Sequence, residues 1–203
     1  MSSLRRFAWL AMAALVPLAC ASQVEPPEAA KAPERTGLVS RGTEPLVLLG
    51  PALEVGQAAP DFTAVRNDMT EAHLSDFAGK TVLVAAVPSL DTPVCSAETQ
   101  RFNEEAAKLK GAVVLAISMD LPFAQGRWCG LHDARNLIAL SDYRTADFGL
   151  KYGVLIKGLH LEARSIFIVD PKGRIAYIQI VPQLGEQPDF DAALAAARKA
   201  AGS

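Results

Sequence analysis

The sequence predicts an α/β domain: a central mixed β-sheet flanked by helices, with a β-hairpin extension on its N-terminal side. Three observations predict it. Residues 81–87 and 113–118 are apolar runs without polar alternation, the pattern of strands buried on both faces. The stretch between them reads as a helix, and strand–helix–strand in so short a span is a βαβ unit with parallel strands. Two later apolar runs, 165–169 and 174–181, flank Asp170-Pro171-Lys172-Gly173, a turn sequence that pairs them as an antiparallel hairpin.

Residues 1–21 read as an export signal. Arg5 and Arg6 form a charged start, and 7–18 is an apolar stretch of 12 residues, too short for a comfortable membrane span. Pro17-Leu18-Ala19-Cys20 reads as a lipoprotein processing site, with cleavage before Cys20 and a lipid on its sulfur. Ala19-Cys20-Ala21 equally fits ordinary cleavage after Ala21. Either cut exports the protein, to the periplasm or to a membrane anchor facing it, where thiols meet an oxidising compartment. Residues 22–36 read as a disordered tether, with Pro26, Pro27 and Pro33 among Glu, Lys and Ala and no apolar period.

The globular domain is expected over 37–203, starting near Gly37. Residues 46–49 form its first short apolar run. A helix is predicted over 93–110, because Phe102, Ala106 and Leu109 fall at i, i+4 and i+7 and Gly111 suits its stop. A second helix follows Pro122 to about His132, and a third covers 144–152, ended by Gly153. An amphipathic helix over 190–201 closes the chain. A βαβ half followed by a ββα half is the thioredoxin-like arrangement. Trp128, Phe123 and Phe148 are expected in its core.

Composition excludes some functions. With 203 residues the chain holds one domain plus tails, and a formal net charge of −2 without a basic run argues against nucleic acid as a main partner. Cys129-x-x-His132 has a spacing that can serve zinc, but no second ligand pair accompanies it. His73, His132 and His160 are scattered, and none is placed as base for a cysteine hydrolase. No Cys-x-x-Cys motif is present, which disfavours a disulfide oxidoreductase.

Pro88-Ser89-Leu90-Asp91-Thr92-Pro93-Val94-Cys95 is the stretch that points to chemistry. Thr92 is a good N-cap and Pro93 a good first helical residue, which puts Cys95 in the first turn. Unpaired N–H groups and the positive end of the helix dipole favour a thiolate there, or an oxygen anion beside it. A capped helix that happens to carry a cysteine is the competing reading. Cys129 follows 34 positions later.

Pro88-x-x-x-Thr92-x-x-Cys95 resembles the active-site pattern of peroxiredoxins, and the whole stretch is similar to their thiol peroxidase subgroup, the atypical two-cysteine enzymes. Ser118-Met119-Asp120-Leu121-Pro122-Phe123-Ala124-Gln125-Gly126-Arg127-Trp128-Cys129-Gly130 resembles that subgroup's resolving-cysteine segment. The resemblance runs from about residue 37 to 200. It implies that Cys95 is the peroxidatic cysteine, that Thr92 orients the peroxide, that Pro88 shields the pocket and that Arg164 supplies a guanidinium. It implies Cys129 as resolving thiol, an intramolecular Cys95–Cys129 disulfide, no bound cofactor, thioredoxin or a thioredoxin-like reductant, and a homodimer. Cys95 and Cys129 both fall on predicted helices, so a helix end is expected to unwind before they join. A peroxide sensor or relay, and a non-catalytic lipoprotein with a static disulfide, are the alternatives.

Overall fold

Apolar residues on alternating sides of one strand decide the core. The computed structural model describes residues 26–202; the export segment with Cys20, and residues 22–25 of the tether, lie outside the described residues. The strands are β1 (Glu34–Arg41), β2 (Glu44–Leu49), β3 (Thr63–Arg66), β4 (Glu71–His73), β5 (Thr81–Ala86), β6 (Ala112–Ser118), β7 (Ile138–Ser141), β8 (Leu155–Ile156), β9 (Leu161–Glu162), β10 (Ser165–Val169) and β11 (Ile175–Ile180). The helices are α1 (Pro93–Ala106), α2 (Pro122–Leu131), α3 (Asp147–Tyr152) and α4 (Phe190–Ala200).

A seven-stranded mixed sheet runs in the order β11-β10-β5-β6-β7-β3-β4. β5, β6 and β7 are parallel neighbours, while β10 is antiparallel to both β5 and β11. All six residues of β5 are buried. Val82 and Val84 face one apolar cluster, with Phe62, Phe148, Tyr152 and Phe167; Leu83 and Ala85 face the other, with Phe102, Phe190 and Leu194. The two-residue period serves two cores because helices or loops cover both faces. The aromatic cluster is edge-packed, with Phe62 and Phe148 ring centroids 5.2 Å apart and Tyr152 and Phe167 4.9 Å apart. Asp170 closes the β10–β11 hairpin by accepting from the Lys172 and Arg174 N–H groups at 2.9 Å.

The α/β reading with its mixed sheet and N-terminal hairpin matches the architecture, and five details correct it. The fold begins before Gly37. Ala29 is buried against Leu49, Ala146 and Leu155, and β1 starts at Glu34, opposite Leu49. Polar composition misled there because β1 is an edge strand: its stability comes from backbone pairing to β2 while most of its side chains meet water. The β1–β2 hairpin is not isolated either, since β8 and β9 extend it to a four-stranded sheet. Helix α1 stops at Ala106, and residues 107–111 form a turn that ends at Gly111 with φ +73°. Helix α3 starts at Asp147, not 144, because Ala146 is left-handed and the buried Asp142 carboxylate caps the Phe148 and Gly149 N–H groups. Finally, Phe123 is 59% exposed, whereas Trp128 and Phe148 are buried. The short strands β3, β4, β7, β8 and β9 carry two to four residues each, too few to show a period.

Candidate active site

β5 delivers the chain to the upper edge of the sheet, where the Val87 N–H still donates to the Ile117 carbonyl at 2.9 Å. Pro88 is buried at the turn that follows. Thr92 has the extended backbone of an N-cap, and its carbonyl accepts from the Ser96 N–H at 2.9 Å. Its hydroxyl does not cap the helix. It turns back to donate to the Ser89 carbonyl at 3.0 Å. The cap side chain therefore takes none of the first N–H groups of α1, and the positive end of the helix stays available to an anion.

Cys95 sits in that first turn, 1% exposed, in a small apolar cluster with Val87, Leu90 and Trp128. One polar group reaches it. Arg164 Nη2 donates to Cys95 Sγ at 3.2 Å and to the Leu184 carbonyl at 3.1 Å. Arg164 is itself buried, at 1% exposure. Its Nη1 donates to Glu98 Oε2. Glu98 lies one helical turn beyond Cys95 on the same face of α1, with no exposed surface. Burial pushes the Glu98 carboxyl up to about 7, and the guanidinium pulls it only part of the way back. The Arg164 guanidinium places positive charge and a fixed donor against whatever anion forms on the sulfur.

Cys129 is near the end of α2, half-buried, and packs against the cluster that holds Cys95. Burial pushes its thiol up, opposed by Asn67, whose Nδ2 donates to Sγ at 3.8 Å. Both cysteines are free thiols in this structure. Trp128 ties the two helices together, its indole N–H donating to Ser96 Oγ at 2.9 Å. His132 packs against Trp128 with ring centroids 4.7 Å apart and planes tilted by 38°, and it pairs with Gln100 through Nδ1. His73 pairs with Thr63 on another part of the sheet. A cavity of about 330 Å³ opens between Thr92, Pro93 and Ser96 of the α1 start and Arg127, Trp128 and Leu131 of α2.

The structure thus brings Pro88, Thr92, Cys95 and Arg164 into one site, with Cys129 on the adjoining helix. Glu98 and Asp120 were missed as site residues. The i, i+3 spacing from Cys95 signalled that Glu98 shares its face, but nothing in the sequence signalled that this face would be sealed. Asp120 accepts from Ser89 Oγ and from the Leu90 N–H, both at 2.7 Å, and so reaches the loop that carries Cys95. The chemical capacity of this arrangement is a nucleophilic sulfur against a guanidinium cation, beside unpaired helix N–H groups, with a second thiol in reserve.

Known proteins agree with that reading. The Redoxin family model matches residues 54–194. A thiol peroxidase of Listeria innocua is 49% identical over 156 residues, covering 77% of this chain and 94% of its own. A thiol peroxidase of Oceanobacillus iheyensis is 48% identical over 151 residues, covering 74% of this chain and 92% of its own. Among solved structures, a peroxiredoxin-like protein from Aquifex aeolicus superposes with a TM-score of 0.76 at 39% identity, over 82% of this chain and 99% of that one. The architecture, the paired thiols and these relatives together place the chain in the thiol peroxidases, peroxiredoxins of the thioredoxin-like superfamily.

Proposed function

We propose that this protein is a thiol-dependent peroxidase that reduces hydrogen peroxide and organic hydroperoxides through Cys95. The contact between Arg164 Nη2 and Cys95 Sγ carries the proposal, because it gives a buried sulfur the one charge that favours an anion there. The Cys95 thiolate attacks the terminal peroxide oxygen. The O–O bond breaks, the alkoxide or hydroxide leaves and takes a proton, and Cys95 becomes a sulfenic acid. Arg164, the free N–H groups of the α1 start and the Thr92 hydroxyl orient the peroxide and stabilise the departing oxygen. Pro88 keeps water from the sulfur.

Cys129 then attacks the sulfenic sulfur as thiolate. The S–S bond forms, the S–O bond breaks, and hydroxide leaves as water. Two thiols of a thioredoxin-like protein reduce the Cys95–Cys129 disulfide. Under the export reading of residues 1–21 that reductant works outside the cytosol, and a lipid on Cys20 would hold the enzyme at a membrane. A homodimer is part of the same proposal and is checked by mass in solution.

The deciding experiment is a steady-state peroxidase assay with thioredoxin against dithiothreitol. Cys95→Ser should lose at least about 10³-fold with either reductant, as removal of a nucleophile does. Cys129→Ser should lose turnover with thioredoxin and keep it with dithiothreitol. Full thioredoxin-dependent turnover in Cys129→Ser would refute the resolving role. Oxidation of the wild type once, without turnover under either reductant, would favour a sensor or relay.

A further inference from the structure

Peroxide attack and disulfide closure make opposite demands on the Cys95 segment. Attack needs the sulfur held against Arg164. Closure needs it released, because a disulfide brings two Cα atoms to about 4.4–6.8 Å and Cys95 lies sealed in its cluster, in an intact helix turn. The bonds that hold the segment therefore bear on both rates, and among the described residues those that tie the loop at 88–91 to the rest of the fold converge on one residue.

Asp120 lies between β6 and α2, immediately before the segment that carries Cys129. Its Oδ1 accepts from Ser89 Oγ at 2.7 Å, and its Oδ2 accepts from the Leu90 N–H at 2.7 Å and from Ser118 Oγ at 2.8 Å. Its carbonyl accepts from Ser141 Oγ at the end of β7. Gln125 of α2 braces the same corner, with Nε2 donating to Ser118 Oγ at 3.0 Å and to the Leu140 carbonyl at 2.9 Å. Asp120 is thus anchored on the ends of two central strands, and its carboxylate grips the loop that leads to Cys95. The grip passes on to the helix start. Ser89, held by Oδ1, accepts at its carbonyl from the Thr92 N–H at 3.1 Å and from the Thr92 hydroxyl at 3.0 Å, and Thr92 is the first residue of the α1 cap.

We infer that Asp120 is a positioning residue that latches the Cys95 loop to the sheet, speeding peroxide attack at the expense of disulfide closure. The inference rests on the peroxidase reading above. A carboxylate is needed for the latch because two oxygens must accept from the loop while one also serves Ser118; an amide in its place presents one acceptor oxygen and one donor nitrogen. In Asp120→Asn the amide oxygen can keep the Leu90 N–H, but the Ser89 hydroxyl loses its acceptor and meets the amide nitrogen as a donor, a neutral bond in place of a charge-assisted one. The loop loosens without any change to Cys95, Arg164, Glu98 or Cys129.

The test separates the two chemical steps. Reduced protein is mixed with hydrogen peroxide, quenched at intervals, and its thiol, sulfenic, disulfide and sulfinic forms are resolved by mass. In Asp120→Asn the peroxide-dependent loss of the Cys95 thiol should slow by about tenfold, the weight of one charge-assisted hydrogen bond. Conversion of sulfenic acid to disulfide should quicken several-fold, and less sulfinic acid should accumulate at high peroxide. Ser89→Ala, which removes the Oδ1 half of the latch together with the longer bond from the Asp91 N–H to Ser89 Oγ and leaves the Leu90 N–H on Oδ2, should move both rates the same way by less, and it carries the test if Asp120→Asn does not fold. Two steps that slow by one common factor, or do not change, overturn the latch. A wild type that forms no sulfenic acid at all overturns the peroxidase reading itself, and the latch with it.

Discussion

Replacing Glu98 by glutamine probes the buried charge cluster more sharply than any change at the cysteines. Glu98 has no exposed surface, Arg164 serves its Oε2, and its Oε1 has no hydrogen-bond partner. Burial wins over the guanidinium and holds the carboxyl near 7 instead of the usual 4.5. The folded protein therefore keeps a proton that the unfolded chain releases between pH 4.5 and about 7. Stability falls with rising pH wherever the native state binds the extra proton, so this group's contribution is full below pH 4.5 and lost through about 7. The shift is worth about 3 kcal/mol. Glutamine keeps the shape and an acceptor for Arg164 but has no proton to lose. The stability gap between Glu98→Gln and wild type should move by about 3 kcal/mol in favour of the variant from pH 4.5 to pH 8. Urea unfolding of the reduced proteins at four pH values across that range measures it. Comparing the two proteins at each pH cancels every other titrating group. Parallel curves would refute the reasoning. They would mean that Glu98 stays ionised throughout and that the guanidinium, not burial, sets its charge. Glu98→Ala is the control: it too removes the titration, but it strips Arg164 Nη1 of its acceptor and leaves a void, so it destabilises at every pH.

Two further outcomes concern the acid pair under α3. A Cβ at Gly149 would lie 2.6 Å from Glu162 Oε1 and 2.7 Å from Oε2, so Gly149→Ala should lower stability by roughly 1–3 kcal/mol, read as a drop in the melting temperature of the reduced protein. Glu162 is buried beside Asp142, and both carboxyls are raised by desolvation, so the two hold a proton that unfolding releases near neutral pH. Glu162→Gln should therefore flatten the loss of stability as pH rises above 4.5, while a slope identical to that of wild type would show that the pair holds no such proton.

The legible and illegible parts of this chain divide on physical grounds. The central strands showed themselves because both of their faces are apolar, and Cys95 was placed in a first helical turn by Thr92 and Pro93 alone. The hairpin of β10 and β11 followed from its turn residues. The edge strand β4, the start of β1 and the two-residue strands β8 and β9 left no trace, since backbone pairing holds them and pairing has no side-chain signature. The tether reading failed at Pro26–Arg35 for that reason: Ala29 and the β1–β2 ladder tie down a segment whose composition resembles a disordered one. At the site, motif resemblance pointed to Arg164, but its burial and its pairing with Glu98 depend on how α1, β10 and the Leu184 loop meet. Charge patterning along a sequence says which residues can ionise. It does not say which of them will be sealed from water, and that is what makes Glu98 unusual.

The topology explains why groups so far apart in the chain meet. β5 and β6 are adjacent parallel strands, with Ala86 opposite Ile117, so both end at the same edge of the sheet. One leads to the Cys95 helix and the other to Asp120 and the Cys129 helix, as neighbouring βα units must when their strands are parallel. β10 runs the other way, with Ser165 opposite Ala86, so the edge where β5 ends is the edge where β10 begins. Arg164, the residue just before Ser165, is thereby carried to the end of β5 and to Cys95 Sγ. An all-parallel sheet would have put the start of that strand at the far edge. The arrangement also explains why register matters more here than strand composition. Side chains alternate across a strand, so a slip of one residue in β10 would turn Arg164 to the opposite face. The Cys95 sulfur and the Glu98 carboxyl would then lose the one cation they share, and the thiol would keep its fold but not its chemistry.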